Sequence, residues 1–149
     1  MNERLFFQEL GKQIYRMDAM YAQYAKRLKL KNVRLLWVLY ALDDGTNHSQ
    51  KEISANWNMP KSSVNTVISE LYEKGYVRFI PVEGQKRELW VRLTPSGEEY
   101  AKKMLSDLYE IEKRAFVQFA PETMSTLSSL EDINQTLIDA GINRSRTKA

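Results

Sequence analysis

The chain has 149 residues, of which 43% are hydrophobic and 28% charged, and its formal net charge is +3. This length allows one domain, or two small ones packed closely together, with a real hydrophobic core. The absence of cysteine and the single histidine exclude disulfides, thiolate metal sites and histidine-rich metal sites. The basic balance favours a nucleic-acid partner.

The sequence also bears on location. No apolar run reaches the roughly 18 residues of a membrane span. The first residues, MNERLFFQELGK, are charged and show no signal-peptide pattern. We therefore expect a cytoplasmic protein without a membrane partner.

The first predicted helix covers residues 3–29. Its apolar side chains recur at steps of three and four: Phe7, Leu10, Ile14, Met17, Tyr21, Tyr24 and Leu28. More apolar side chains, Leu5, Phe6, Tyr15 and Met20, lie off this stripe. A surface helix needs only one stripe, so we expect this helix to bury one face in its own domain and another against a partner chain.

A second helix, VRLLWVLYAL, follows a candidate cap at Asn32 and ends at residues 43–45, Asp-Asp-Gly. It is apolar nearly all round, which predicts a central position. Ser49 and Glu52 then have the spacing of a capping box that opens a short third helix through about Asn56. We expect Ile53 and Trp57 to anchor that helix.

A fourth helix begins after a turn at Asn58-Met59-Pro60, with Pro60 at or near its first position, and ends at Lys74-Gly75. One face is apolar and predicted to be buried: Val64, Val67, Ile68, Leu71 and Tyr72. The opposite face carries Lys61, Ser62, Ser63, Asn65, Thr66 and Ser69. That face has no acidic residue before Glu70, whereas a merely solvated helix normally mixes both charges. Short hydrogen-bonding side chains and one cation suit close approach to DNA.

Two strands with period-two alternation follow, around residues 77–80 and 89–93, with a turn at Glu83-Gly84. Pro81 limits pairing near the tip. From Lys74 to Arg92 the chain has five positive and two negative side chains. This hairpin is therefore predicted to be a basic wing.

The remaining residues are predicted to form two more helices. One starts at Thr94-Pro95 and runs to about Phe119, and the other starts at Ala120-Pro121-Glu122 and ends at Gly141. The basic tail, residues 143–149, is expected to be disordered.

The predicted fold is mainly α with a two-stranded wing: a winged helix-turn-helix over residues 32–94, flanked by helices. Residues 1–31 and 95–142 carry a heavy apolar load outside the winged unit, which suggests a helical dimerisation region.

At this point the chain resembles the MarR (multiple antibiotic resistance regulator) family of bacterial transcription factors over about residues 5–142. The resemblance lies in SQKEISANWNMPKSSVNTVISELYEKGYV, the basic wing, the junction LTPSGEEYA and the junction FAPET. It implies a homodimer with interleaved terminal helices and recognition helices in successive major grooves of a pseudo-palindromic operator. It also implies wing arginines in the adjacent minor groove, and release from DNA by a small aromatic or phenolic ligand.

The wing departs from the family pattern in one respect. Where members usually have Asp-Arg-Arg, this sequence has Gln85-Lys86-Arg87, so the aspartate that orients the arginine is missing. Arg87 remains the candidate for the minor groove and Lys86 for a phosphate.

The candidate DNA-binding residues are Ser49, Gln50, Lys61, Ser62, Ser63, Asn65, Thr66, Ser69, Arg78, Lys86 and Arg87. For the fourth helix the competing interpretation is a solvated polar face, and for the wing an ordinary charged hairpin tip. Ser49 and Gln50 either bind a phosphate at a helix amino terminus or serve in the capping box alone. His48 is interpreted as a loop residue.

A set of aromatic residues is the candidate effector site: Tyr15, Tyr21, Tyr24, Trp37 and Tyr40. Their helical spacing makes packing in the core the default interpretation. No cofactor or metal site is indicated. No catalytic motif is indicated either, because the chain lacks a Gly-rich phosphate loop and a nucleophile elbow.

The sequence thus predicts a dimeric, sequence-specific DNA-binding transcriptional regulator, a repressor released by an effector. Two alternatives stay open: a winged helix that binds a protein partner, and a DNA-binding repressor without an effector.

Overall fold

The first two helices of the computed structural model begin at asparagine caps. α1 (Glu3–Arg27) starts after Asn2, whose side chain accepts a 3.0 Å hydrogen bond from the Leu5 amide. α2 (Val33–Leu42) starts after Asn32, which accepts from the Leu35 amide at 3.2 Å, so the predicted cap is confirmed. The structure describes residues 1–142, with backbone alone at Pro121 and Ile142. The tail predicted to be disordered, residues 143–149, lies outside the described residues.

α2 is the centre of the hydrophobic core, as its composition predicts. Six of its ten residues are buried: Leu35, Leu36, Val38, Leu39, Ala41 and Leu42. Around it lie the apolar face of α4 (Lys61–Glu73) and the buried Val91 and Leu93. The core thereby fixes α4 with its polar face outward.

α3 (Gln50–Asn56) and α4 form the helix-turn-helix. The capping box at the start of α3 is present: the Glu52 amide donates to Ser49 Oγ, and the Ser49 amide donates to the Glu52 carboxylate. Four apolar residues of α4 are buried: Val64, Val67, Ile68 and Leu71. Gly75 ends the helix with a positive φ of 74°, and the Tyr76 amide returns to the Leu71 carbonyl at 2.9 Å.

Tyr72 was expected in the buried stripe of α4, and that expectation is wrong. Its side chain is 55% exposed, and its ring lies 5.1 Å from the ring of Phe79. Tyr72 stands at the edge of the apolar face, where a large ring reaches the neighbouring strand rather than the core. Pro60 takes the cap position immediately before Lys61.

The sheet has three antiparallel strands in the order β1-β3-β2, where the sequence predicted two. β1 is His48–Ser49, β2 is Val77–Pro81 and β3 is Leu89–Leu93. β1 has only two residues, too few for an alternating pattern, and it pairs His48 with Val91. This strand ties the start of α3 to the base of the wing.

α5 (Pro95–Ile142) is one helix, where the sequence predicted two with a break at residues 120–122. The break was inferred because proline favours the first helical position. A proline inside a helix removes one backbone hydrogen bond and usually kinks or breaks the helix, but here the helix continues through Pro121. The start at Thr94 is as predicted, because the Gly97 amide donates to Thr94 Oγ1 at 3.1 Å.

The chain divides into two units, Met1–Leu108 and a second that begins at Tyr109. In the first unit, Tyr24 and Ala25 are buried, as are Ala101, Leu105 and Leu108. In the second unit, no side chain described between residues 109 and 141 is buried. No helix within residues 1–142 is long and apolar enough to cross a membrane.

Candidate nucleic-acid interface

The turn between α3 and α4 is held by specific hydrogen bonds. Asn58 adopts a left-handed backbone with φ of 47°, which reverses the chain within a few residues. Ser54 Oγ donates to the Met59 carbonyl at 2.6 Å, and the Met59 amide donates to the Ser54 carbonyl at 3.0 Å. Met59 itself is buried. The first turn of α4 is therefore fixed relative to α3.

The polar face of α4 lies at the surface, as predicted. Lys61, Ser62, Asn65, Thr66 and Ser69 are exposed, and Ser63 is partly exposed. The Thr66 hydroxyl donates to the Ser62 carbonyl at 2.9 Å, so its oxygen can still accept a hydrogen bond. The structure brings all six predicted residues onto one helix.

The tip of the wing is an exposed turn. The Val82 amide donates to the Glu88 carbonyl, the Gln85 amide donates to the Val82 carbonyl, and Gly84 has φ of 78°. A positive φ suits glycine because it lacks a Cβ atom. Lys86 and Arg87 follow this turn and are both exposed.

The outer face of the wing carries an arginine that the sequence analysis missed. Arg78 of β2 pairs directly with Arg92 of β3, and Ile80 pairs with Trp90. Like charges placed opposite one another on a sheet repel. Only the strand register reveals this pair, because the two arginines are far apart in sequence.

Ser49 and Gln50 differ in exposure. Ser49 is 4% exposed and holds the capping box, whereas Gln50 is partly exposed at the first position of α3. The structure therefore assigns Ser49 a capping contact.

His48 was interpreted as a loop residue, but it is the first residue of β1, and its ring contacts the loop before that strand. Its Nε2 lies 2.8 Å from Asp44 Oδ1 and 3.0 Å from Thr46 Oγ1. Burial raises the pKa of Asp44, but the hydrogen bonds from His48 and Thr46 outweigh it and lower that pKa to about 2. Within residues 1–142, no group of three or more His, Asp or Glu side chains is placed to hold a metal ion.

The predicted aromatic set separates into three parts. The ring of Trp37 lies 4.5 Å from Tyr21 and 5.8 Å from Tyr40. It also stacks on Trp57 at 5.0 Å, a residue the sequence analysis assigned only to anchoring α3. We call Tyr21, Trp37, Tyr40 and Trp57 the aromatic cluster; each is partly exposed.

The other two members lie apart from this cluster. Tyr24 is buried and donates to the Met104 carbonyl at 2.8 Å, and burial raises its pKa. Tyr15 is 75% exposed on α1.

Comparison with known proteins shows which family this chain is similar to. Residues 30–88 match the model of the MarR family. The structure is similar to a MarR family regulator from Neisseria meningitidis, with a TM-score of 0.79, 24% sequence identity, and coverage of 97% of this chain and 99% of that chain. The comparison with curated proteins gives no match.

Two further structures carry ligands of interest. Reduced AbfR bound to DNA has a TM-score of 0.68 and 18% identity, covering 91% of this chain and 96% of that chain; AbfR is a protein of Staphylococcus epidermidis. NadR in complex with 4-hydroxyphenylacetate has a TM-score of 0.67 and 14% identity, covering 83% of this chain and 87% of that chain.

The structural likenesses show a shared fold, and the family model matches the segment from α2 to the wing. The resemblance found in the sequence is confirmed: residues 30–88 match the model of the MarR family, and the winged-helix fold is shared with solved structures of MarR family regulators.

Proposed function

We propose that this protein is a homodimeric transcriptional regulator that binds a pseudo-palindromic DNA operator and acts as a repressor. The observation that carries the proposal is the exposed face of α4, which presents Lys61, Asn65 and Ser69 without an acidic residue before Glu70. Such a face suits the major groove, where amides and hydroxyls read base edges. The DNA-bound AbfR neighbour supports the same use of the fold.

The wing and α3 complete the proposed contact. Arg87 enters the minor groove beside the major groove that holds α4, while Lys86, Arg78 and Gln50 contact phosphates. Arg92 is a further candidate, because the strand register puts it opposite Arg78.

Exposed apolar surface supports the dimer. On α1, Phe6, Ile14 and Met17 are between 41% and 63% exposed. In the second unit, large apolar side chains are also exposed: Phe116, Val117, Phe119, Met124, Leu127, Leu137 and Ile138. Exposed apolar side chains in such number mark a protein interface. Residues 1–31 and 95–142 are the proposed dimerisation region.

An effector would act through the aromatic cluster. Its rings come from α1, α2 and the end of α3, so the cluster joins the proposed dimerisation helix to the turn that positions α4. A small aromatic or phenolic ligand stacked there favours a conformer in which the two α4 helices no longer match the spacing of one DNA turn. The ligand's differential affinity for the two conformers sets how far the equilibrium moves. The phenolic ligand of the NadR neighbour supports this chemical class.

A gel-shift titration of genomic fragments and random-sequence duplexes at two salt concentrations tests DNA binding. We expect binding that weakens steeply as salt rises, because phosphate contacts release counterions. No shift at either salt concentration would contradict the proposal and favour the alternative, a winged helix that binds a protein.

Tryptophan fluorescence tests the effector. Trp37 and Trp57 stack in the aromatic cluster, so a bound ring should quench or shift their emission. We expect 4-hydroxyphenylacetate or salicylate to change this emission and to release DNA over the same concentration range. Phenolic probes that alter neither signal would instead favour a repressor without an effector.

A further inference from the structure

A cleft of about 180 Å³ lies beside the recognition face, between the start of α2 and one flank of α4. On the α2 side it is lined by Lys31, Asn32, Arg34 and Leu35, and on the α4 side by Ser62, Ser63, Thr66, Val67 and Glu70. Ser62, Ser63 and Thr66 belong to both the cleft and the proposed DNA face. A helix that places these three residues in the major groove therefore brings the cleft against the phosphates that border the groove.

The cleft carries two cations and one acid. Arg34 and Lys31 line it from α2, and Glu70 is the one acidic residue in its lining. The hydroxyls of Ser62 and Ser63 add hydrogen-bonding groups on the other wall. Its volume is well above that of one water molecule, so it has room for a phosphate group.

Lys31 is held by Glu70 in the absence of DNA. Its Nζ lies 2.9 Å from Glu70 Oε1, and the two side chains are 70% and 36% exposed. An exposed ion pair contributes little to stability, so breaking it costs the fold little. A phosphate in the cleft offers Lys31 an equivalent anionic partner, and DNA surrounds that phosphate with further negative charge.

We propose that this cleft receives a backbone phosphate of DNA, bound by Lys31 and Arg34, and that Glu70 competes with that phosphate for Lys31. The inference rests on the proposed function, since it requires the protein to bind DNA. Glu70 then acts as an internal counter-ion that weakens binding to every sequence equally. Sequence-specific contacts of α4 consequently account for a larger share of the total affinity.

The test is a double-mutant cycle on the full chain, with Lys31→Ala, Glu70→Gln and both changes together. Affinity for a random-sequence duplex is measured by fluorescence anisotropy over a series of salt concentrations. Glu9→Gln is the matched control, because Glu9 forms an exposed ion pair with Lys12 at 2.6 Å, outside the cleft. Thermal melting first establishes that each variant is folded.

Lys31→Ala should weaken binding about five- to tenfold at low salt and lower the slope of log affinity against log salt by about 0.9. Glu70→Gln should tighten binding about two- to fivefold, in line with the strength of an exposed ion pair. Glu9→Gln should leave affinity unchanged. In the Lys31→Ala background, Glu70→Gln should have a smaller effect, since no lysine remains to be released.

Three results would overturn the inference. An unchanged affinity and salt slope in Lys31→Ala would mean that Lys31 meets no phosphate. If Glu70→Gln tightens DNA binding more in the Lys31→Ala background than in the wild type, Lys31 only shields Glu70 from DNA. Wild-type protein that binds no DNA would overturn the proposed function as well, which separates that failure from the first two.

Discussion

The side chain of Asn65 is exposed on α4, on the side away from the buried Val64 and Ile68. Its amide can donate to and accept from an adenine edge, a pairing worth about 1–3 kcal/mol of discrimination. We predict that Asn65→Ala keeps the fold, because alanine is a better helix former, but relaxes preference at one symmetric pair of operator positions. Selection on random DNA with wild type and variant measures this.

Lys61→Ala serves as the contrasting variant. Loss of a phosphate contact should lower affinity for all sequences alike and leave the sequence preference unchanged. If folded Asn65→Ala keeps the wild-type preference at every position, direct readout by this residue is wrong.

Gly97 lies in the first turn of α5, where a side chain has no room. A Cβ atom at this position would meet the backbone carbonyl of Tyr76, which already accepts a 3.0 Å hydrogen bond from the Thr94 amide. We predict that Gly97→Ala lowers the free energy of unfolding by about 1–3 kcal/mol, as overpacking does. Urea denaturation measures the loss. The neighbouring Ser96→Ala is the control, because Ser96 is exposed; equal stability of the two variants would contradict the prediction.

Some site residues could be identified from the sequence and others could not. The polar face of α4 could be predicted from helical periodicity alone, because each of its residues lies three or four positions from another of them. Arg92 and Lys31 are different, since strand register and the approach of α2 to α4 place them beside the site. Such contacts depend on tertiary packing, which periodicity does not encode.

In the wing, the proposed DNA contact is made by two neighbouring residues at the tip, Lys86 and Arg87. Arg87→Ala should weaken specific binding by about 1–3 kcal/mol if its guanidinium enters the minor groove. Lys86→Ala should weaken binding to all sequences and reduce the salt slope by about one. Anisotropy titrations with a selected operator and a random duplex separate the two effects. Unchanged affinity in both variants would mean that the wing does not touch DNA.

The elements themselves were largely predictable, and the exceptions have physical causes. Asn32 and the capping box placed α2 and α3, because a cap needs only local residues, while apolar periodicity placed α1 and α4. β1 was missed because two residues show no alternation. The continuous α5 was missed because proline favours the start of a helix and disfavours its interior, so Pro121 indicated a break.

At the scale of the whole molecule, the exposed apolar surface of α1 predicts association. Sedimentation of the full chain at micromolar concentration should give twice the mass of one chain. Ile14→Glu should weaken the dimer, because Ile14 is 51% exposed on α1 and a carboxylate resists burial in an interface. Gln13→Glu, a change of the same charge at an exposed neighbour, is the control. A well-folded, soluble monomer of the wild-type chain would contradict the dimer.

The central claim is that two copies of α4 read two half-sites of one operator. Two-fold symmetry requires the two helices to lie about 34 Å apart, one turn of B-DNA. The most direct test is selection of bound sequences from random DNA with the purified wild-type protein. The account predicts an enriched inverted repeat whose half-site centres are about 10–10.5 base pairs apart. Enrichment of no sequence, or of a single asymmetric site, would contradict it.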